Sequence, residues 1–260
     1  MQVDAVVLSG GEGAVIDPAV SIKGLVPVAG KPMVEWVVEA LRAAETIGGI
    51  AVVVPSAENL GSWVDKADKI VVSDQRFADN IFAGVDSFRS ARRTLVSTGD
   101  LPALTPEAID DFVTRSIEAK ADFSYPLIRE EDMARQFPGS ERTYVRIEGG
   151  KVTGGNMGVL SPDLVARNRD IGQRLFETRK SPFAMARVIG FPFIFKLLSG
   201  RLRPADVEAK MAQLMGGNCV ALYTEHACIG ADVDKPIDVV VAERVMFERA
   251  DGRIRTGNAE

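Results

Sequence analysis

The first half of the chain alternates short apolar runs with amphipathic segments. Four of the runs are short, rich in β-branched residues and without regular alternation of apolar and polar positions, at 4–10, 48–55, 69–73 and 93–100. Strands of a parallel sheet show this pattern, because helices cover such a sheet on both faces. The pattern therefore predicts a mostly parallel central sheet.

The segments that connect these runs have apolar residues at helical spacing. Helices are predicted at 31–44, 77–91 and 105–119. The third has Thr105 as its N-cap, Pro106 at its first helical position and Glu107 in its first turn, where a negative charge is favourable. Alternating strands and helices predict an α/β fold with three layers, α/β/α, around a Rossmann-like sheet.

The regular alternation of predicted strands and helices ends after residue 121. Strand-like segments at 121–128 and 141–161 contain a Gly-Gly turn, the stretch 185–215 is mainly helical in pattern, and 231–250 is a polar turn followed by a helix. We expect one domain over 1–250. Its parts are a first half at 1–120, a second half at 121–230 with a helical insertion at about 183–217, a closing segment at 231–250 and a tail at 251–260.

Composition narrows the possible functions. The chain has 260 residues, 46% of them apolar, and a formal net charge of −5 with both signs mixed along the sequence. The sequence has no cluster of basic residues that would form a binding surface for DNA or RNA. The first residues enter a strand without a basic leader, and the apolar run 188–198 is too short to span a bilayer. We therefore expect a cytoplasmic protein that does not bind nucleic acid or membranes.

Cysteine and histidine, two residue types with possible metal or redox chemistry, are sparse. Cys219 and Cys228 are expected to be free thiols, because nothing indicates secretion. His226 is the single histidine and lacks a second histidine for a zinc site, so a structural role is expected.

The stretch Leu-Ser-Gly-Gly-Glu-Gly at 8–13 follows the first predicted strand. Glycines at this place let the backbone approach a ligand and point free amides at phosphate oxygens. A tight exit from the strand is the alternative. The stretch is neither a P-loop, since no Gly-Lys-Ser/Thr follows, nor a dinucleotide fingerprint, since Pro18 and Pro27 interrupt the expected helix.

Two lysines follow the glycines. Lys23 lies in a loop rather than on a helix face, where it can neutralise a polyphosphate as a point charge. Lys31 precedes a predicted helix and either meets the phosphate of an acceptor or remains solvated.

Asp100 ends a predicted buried strand in the stretch Ser-Thr-Gly-Asp-Leu-Pro at 97–102. Open α/β sheets bind their ligands at the carboxyl ends of strands, and Mg²⁺ prefers one or two carboxylates together with phosphate oxygens. A helix cap is the alternative, but the helix that begins near Thr105 is too distant. Asp100 is therefore predicted to bind Mg²⁺.

A second carboxylate cluster occurs at 231–238. Asp238 is explained as a residue of the first helical turn after Pro236. Asp234 lies in the preceding turn and is predicted to meet Asp100, with Asp232 as the second choice for a metal ligand.

Four motifs in order resemble the MobA-like branch of the nucleotidyltransferase superfamily, which has the glycosyltransferase-A-like fold. They are LSGGEG at 8–13, IKGLVPVAGKPMVEW at 22–36, STGDLP at 97–102 and DVDKPIDVVVAE at 232–243. The resemblance implies an enzyme that transfers an NMP unit from an NTP, with GTP or CTP favoured, to a phosphorylated small molecule, releasing pyrophosphate. It also implies the central sheet of the nucleotide-diphospho-sugar transferases.

The resemblance also implies roles for individual residues. Lys23, Asp100 and Asp234 would be catalytic, and the two aspartates would hold Mg²⁺. The nucleotide would contact Leu8, Ser9, Gly10, Gly11, Gly13, Lys23, Val54, Pro55, Asn80, Thr98 and Gly99. The acceptor would contact Arg142, Tyr144, Gly154, Gly155 and Asn156.

The chain departs from the family pattern after the glycine loop. The family commonly has an arginine there, whereas this chain has Glu12, Ala14 and Asp17. Nucleotide binding should be weaker unless Arg76, Arg142 or Lys180 supplies the missing charge. The missing arginine leaves open a degenerate nucleotide-binding protein. The pair Asp232 and Asp234 leaves open a glycosyltransferase with a nucleotide-sugar donor, if the pair lies beside the nucleotide. A homodimer through the apolar run 191–198 is a further hypothesis, with core burial of that run as its alternative.

Overall fold

The computed structural model describes residues 1–88, 92–168, 193, 196 and 199–252. Eleven strands lie within these residues: β1 (Val3–Leu8), β2 (Pro27–Val28), β3 (Lys31–Pro32), β4 (Ile47–Val54), β5 (Lys69–Val72), β6 (Thr94–Thr98), β7 (Phe123–Arg129), β8 (Val145–Ile147), β9 (Gly150–Gly154), β10 (Met157–Leu160) and β11 (Cys219–Thr224). Seven α-helices lie wholly within these residues: α1 (Met33–Ala43), α2 (Phe77–Ser87), α3 (Pro106–Glu118), α4 (Glu130–Gln136), α5 (Pro162–Arg167), α6 (Pro204–Met215) and α7 (Pro236–Ala250).

One sheet of nine strands organises the fold. Its order is β5-β4-β1-β6-β10-β7-β9-β8, and β11 pairs with β7. Strands β5, β4, β1 and β6 run parallel to one another, as do β7 and β11, whereas β10 and β9 are antiparallel to their neighbours. The predicted fold class, α/β with a mostly parallel sheet, is confirmed.

Both faces of the parallel part are covered, which explains why its strands lack polar alternation. On one face of β1, Val3, Ala5 and Val7 pack into a cluster that includes buried residues of α1 and α3. On the other face, Val6 packs beneath partly buried residues of α2 such as Ile81. Successive strand residues point to opposite faces, so a strand between two helical layers is apolar on both faces, with Asp4 of β1 as a buried exception.

The predicted helices form with small shifts of their ends. Helix α1 begins at Met33 because Lys31 and Pro32 pair with β2 in a short hairpin. Helix α3 has the predicted N-cap, since the Thr105 side chain accepts a hydrogen bond from the N–H of Ala108 at 3.3 Å.

The second half differs from the prediction in detail. Segment 141–161 contains three strands, with the predicted Gly-Gly turn between β8 and β9, where Gly149 has a φ of +95°. Strand β11 and the short helices α4 and α5 were not predicted. Helix α6 lies within the predicted helical insertion at 183–217, of which 183–192, 194, 195, 197 and 198 lie outside the described residues. Most of the apolar run 191–198, Lys180 and most of the tail also lie outside them.

Cys219 and Cys228 are buried free thiols, as predicted. In the part of the chain that the structure describes, no helix combines the length and the apolar character needed to cross a membrane.

Candidate active site

The site lies where three parallel strands end. Leu8, the last residue of β1, is aligned with Val53 of β4 and Thr98 of β6. Beyond the strands, the N–H of Ser9 donates to Val53 O at 2.8 Å and the N–H of Gly99 donates to Leu8 O at 2.9 Å. The loops after β1, β4 and β6 therefore leave the sheet side by side, as expected for parallel strands.

The glycine loop at residues 9–13 is folded back on the segment that precedes Lys23. Gly11 has a φ of +85°, a conformation that side chains strongly disfavour. A Cβ at Gly13 would lie 2.5 Å from the carbonyl oxygen of Val20, so only glycine fits there. A Cβ at Gly10 would meet nothing within 4 Å, so the loop is open at that position.

Lys23 links this loop to the carboxylates. Its backbone N–H donates to Gly11 O at 3.0 Å. Its ammonium group forms an ion pair with Asp100 Oδ2 at 2.5 Å and a second ion pair with Asp234 Oδ1. Burial disfavours the charged form of Lys23, but attraction and hydrogen bonds from Asp100 and Asp234 outweigh it, so its pKa is raised. Lys23 is therefore a cation at neutral pH.

Three carboxylates converge beside Lys23. Oxygen atoms of Asp100, Asp232 and Asp234 all lie within 4.8 Å of one another. Asp100 Oδ1 is buried, and no described residue donates a hydrogen bond to it. Asp238 has a different role, since its Oδ2 accepts from the backbone N–H groups of Asp234 and Lys235 at the start of α7. The predicted assignment of Asp238 to the first helical turn is confirmed.

Arg142 is committed to the carboxylate cluster. Its guanidinium group donates to both the side chain and the backbone carbonyl of Asp232. Burial raises the pKa of Asp232 to about 6, with Arg142 opposing the rise and the charges of Asp100 and Asp234 adding to it. Burial also acts on Asp234, but the ammonium group of Lys23 overcomes it and lowers the pKa of Asp234.

Two buried hydroxyl groups lie at the strand ends. Ser9 Oγ and Thr98 Oγ1 are buried without a hydrogen-bond partner among the described residues. Gly24 and Gly99 both pack against Ser9, and a Cβ at Gly24 would lie 2.0 Å from Ser9 Oγ. These glycines leave the room that the Ser9 side chain takes.

The predicted acceptor segment at 154–156 is bonded to the same region. The N–H of Thr98 donates to Asn156 O at 3.0 Å, and the N–H of Asn156 donates to Ile229 O at 2.9 Å. Tyr144 is partly buried and packs against the main core cluster. The structure thus joins Asn156 directly to β6, whereas Tyr144 supports the core beneath.

Other predicted residues have local partners. Asn80 Oδ1 accepts from Ser73 Oγ at 2.8 Å and from the N–H of Gln75 at 3.1 Å, so Asn80 orders the loop before α2. Val54 is buried, which limits it to backbone contacts with a ligand. Lys31 Nζ lies 2.9 Å from Glu39 Oε2, an ion pair that satisfies it within the protein.

Arg76, a further candidate cation, and His226 have partners outside the carboxylate cluster. Arg76 forms an ion pair with Asp79 at 2.9 Å, beside the loop that Asn80 orders. His226 Nε2 lies 3.9 Å from Asp111 Oδ2 and does not belong to the carboxylate cluster.

One residue near the site was missed in the sequence. Tyr125 of β7 lies against Gly154, where a Cβ would come within 2.0 Å of the tyrosine hydroxyl oxygen. Burial raises the pKa of Tyr125, and the charge of Asp232 adds to the rise. A tyrosine in a mostly apolar strand, with glycines in a neighbouring strand, was the available signal.

Comparison with known proteins adds the family. Residues 5–215 match the family model described as the MobA-like NTP transferase domain. The chain belongs to the MobA-like NTP transferase family. The match contains the glycine loop, Lys23 and Asp100, and it confirms the predicted family and the predicted enzyme class, nucleotidyltransferase.

Two individual proteins are similar to this MobA-like protein in sequence. A solved structure of a hypothetical transferase from Thermus thermophilus is 36% identical, with a TM-score of 0.83 over 92% of this chain and 100% of that chain. A probable molybdenum cofactor guanylyltransferase from Thermococcus kodakarensis is 34% identical over 120 residues, which are 46% of this chain and 57% of that protein. The chain thus matches little more than half the length of that curated relative.

A more distant structure shows the fold alone. A 2-C-methyl-D-erythritol 4-phosphate cytidylyltransferase from Thermus thermophilus is 15% identical, with a TM-score of 0.54 over 95% of this chain and 100% of that chain.

Proposed function

We propose that this MobA-like protein binds an NTP with Mg²⁺ and transfers its NMP unit to a phosphorylated small molecule, releasing pyrophosphate. The observation that carries the proposal is the pair of contacts from Lys23 to Asp100 and Asp234. Through these contacts, three segments that are far apart in the sequence meet at one point: the segment of Lys23 beside the glycine loop, and the two acidic motifs that contain Asp100 and Asp234.

The carboxylate cluster fits Mg²⁺ chemically. Its donors are all oxygens, which Mg²⁺ prefers, and they lie close enough together to share one ion. The buried and unpartnered Oδ1 of Asp100 offers a further oxygen, in a place where an unpaired carboxylate oxygen is otherwise costly. Asp100 and Asp234 would hold the ion, with Asp232 as the second choice for a ligand. Bound there, Mg²⁺ would neutralise phosphate charge and polarise the reacting phosphoryl group.

The protein would contribute position and charge rather than a covalent intermediate. The open glycine loop around Gly10 and Gly11 would take the triphosphate, with backbone amides facing phosphate oxygens. Lys23 would neutralise the phosphates. An acceptor phosphate oxygen would attack the α-phosphorus in line, while the bond to the bridging oxygen breaks and pyrophosphate leaves with the electron pair.

The nucleotide and the acceptor would be recognised by residues at the ends of different strands. Val54 and Pro55 at the end of β4, Asn80, and the Ser9 and Thr98 hydroxyls would adjoin the nucleotide. Gly154, Gly155 and Asn156 would adjoin the acceptor, with Arg142, Tyr144 and the newly found Tyr125 behind them. GTP and CTP are both candidates, because one relative is named a guanylyltransferase and a structural neighbour is a cytidylyltransferase.

A nucleotide-sugar donor is the second candidate. It is supported by the position of Asp232 and Asp234 beside Asp100, because such a cluster would also bind a metal–diphosphate. The glycine loop and Lys23 favour the triphosphate, which carries more charge to neutralise.

A thermal-shift panel tests the proposal. GTP, CTP, ATP, UTP and UDP-glucose would each be added with and without Mg²⁺, since a ligand of the native state raises the melting temperature. We expect a Mg²⁺-dependent rise with GTP or CTP that is lost in Asp100→Asn. A rise with UDP-glucose alone would favour the glycosyltransferase, and no rise with any compound would contradict nucleotide binding.

A further inference from the structure

The ammonium group of Lys23 lies between the two carboxylates assigned to the metal. It contacts Asp100 Oδ2 at 2.5 Å and Asp234 Oδ1 on its other side. Mg²⁺ binds oxygen ligands at about 2.1 Å, so an ion held by these two oxygens would take the position of the ammonium nitrogen. Lys23 and the metal therefore exclude each other at these two oxygens.

The base of the lysine is fixed while its end can turn. Its backbone N–H bonds to Gly11 O, and a Cβ at Gly11 would lie 3.6 Å from Lys23 Cβ and 3.7 Å from its Cδ. The aliphatic stem thus runs beside the glycine loop. Because the stem is flexible, rotation of its outer bonds would carry the ammonium from the carboxylates towards the loop without moving the backbone.

The net charge of the carboxylate cluster would change if the ammonium group of Lys23 moved away and Mg²⁺ took its place. When ionised, Asp100, Asp232 and Asp234 carry three negative charges, and Lys23 and Arg142 supply two positive charges in contact with them. If Mg²⁺ replaced Lys23, the cluster would be neutral. The released lysine would face the triphosphate, which needs cations of its own.

We propose that Lys23 couples metal binding to triphosphate binding, by occupying the place of the metal until a triphosphate draws its ammonium group away. The inference rests on the proposed function and adds to Lys23 a role in the order of binding. A divalent cation alone must compete with the lysine and binds weakly. A triphosphate removes the competitor. The cation therefore binds the protein–triphosphate complex more tightly than it binds the free protein, and the triphosphate binds the protein–cation complex more tightly than it binds the free protein.

Metal binding without nucleotide is the distinguishing measurement. Binding of Mn²⁺ would be followed by electron paramagnetic resonance in the wild type and in Lys23→Met, which keeps an unbranched side chain one atom shorter and without charge. Lys31→Met is the matched control. We expect Lys23→Met to bind Mn²⁺ alone about tenfold more tightly or better, because one ionic contact at this range is worth at least that much. Lys31→Met should match the wild type, since Lys31 pairs with Glu39 instead.

A second arm adds GTP or CTP. Saturating triphosphate should tighten Mn²⁺ binding in the wild type, and it should do so less in Lys23→Met, where the competitor is already gone. In the double variant Lys23→Met, Asp100→Asn, the gain in Mn²⁺ affinity should disappear, which places the ion at Asp100. If Lys23→Met does not fold, Lys23→Gln replaces it, because its amide can still donate hydrogen bonds to the carboxylates without a charge.

The outcomes separate the two ideas. Mn²⁺ affinity in Lys23→Met equal to or below that of the wild type, with triphosphate-dependent Mn²⁺ binding intact in the wild type, would overturn the coupling and leave the transferase proposal standing. Absence of Mn²⁺ binding to the wild type with either triphosphate would overturn the proposed metal site and the coupling together.

Discussion

The backbone N–H of Val233 donates a hydrogen bond to the carbonyl oxygen of Asp100 at 3.0 Å. Asp100 follows β6, whereas Val233 lies between Asp232 and Asp234 in the loop before α7. One main-chain bond therefore fixes the separation of carboxylates that are far apart in the sequence. Because the backbone holds this arrangement, isosteric changes to the carboxylates should alter chemistry more than folding.

Asp100→Asn tests that expectation. The amide keeps the shape of the side chain but is a much poorer ligand for Mg²⁺, so metal-dependent turnover should fall by about a hundredfold or more. Pyrophosphate release and the melting temperature would be measured together, with the exposed Asp65→Asn as control. A fully active Asp100→Asn would remove Asp100 from the metal site.

Lys23→Ala should weaken binding of an NTP more than binding of the matching NMP. In the proposed complex the lysine would neutralise the β- or γ-phosphate, which the monophosphate lacks. Isothermal titration calorimetry at saturating Mg²⁺ would give both affinities, and Lys31→Ala serves as the control. An equal loss for NTP and NMP would show that Lys23 does not contact the outer phosphates.

Arg142 and Asp232 should be energetically coupled. Both side chains are mostly buried, at 10% and 15% exposure, so Arg142→Met leaves a buried carboxylate without its partner. The free energy of unfolding should fall by about 3 kcal/mol, and adding Asp232→Asn should recover part of the loss. Denaturant unfolding of the two single variants and the double variant measures this. Purely additive effects would mean that the ion pair does not stabilise the loop.

Asp122 should make stability depend on pH. Its pKa is lowered, chiefly by the backbone N–H of Asn218, which donates to its Oδ2 at 2.9 Å. A carboxyl whose pKa is lower in the folded than in the unfolded state stabilises the fold above its unfolded pKa and loses this effect as the pH falls through the folded value.

The matching variant is Asp122→Asn. Its melting temperature should be below that of the wild type at pH 7, and the difference should shrink below a pH of about 4, the ordinary range of this carboxyl. Asp65→Asn should show no such trend. A difference that stays constant from pH 7 to pH 3 would contradict the assignment.

Much of the proposed nucleotide-binding side of the site could be predicted from sequence, because the strands and loops that form it have local sequence patterns. β1 lies between two helical layers, and its apolar run from Ala5 to Leu8 is the direct consequence. β6 is buried from Thr94 to Ser97 and shows no polar alternation. Asp100 could be predicted as a candidate because it is the charged residue that follows this strand, and strand ends meet at one edge of a parallel sheet.

The rest depends on contacts between distant segments. The contacts of Arg142 with Asp232 join residues from different segments, and no local spacing records such a pair. Strand β11 was missed because four of its six residues are only partly buried, so its pattern is weak. Asn80 was assigned by resemblance alone, and its bonds to Ser73 and Gln75 depend on the loop before α2.

The central claim is that Asp100 and Asp234 hold the metal of a bound triphosphate while Lys23 contacts the phosphates. Crystals grown with Mn²⁺ and GTP or CTP would test it directly, since anomalous scattering locates Mn²⁺. The account predicts an anomalous peak about 2.1 Å from carboxylate oxygens of Asp100 and Asp234, with Lys23 Nζ turned to a phosphate oxygen. A peak bound to other side chains, with Lys23 still between the two aspartates, would contradict it.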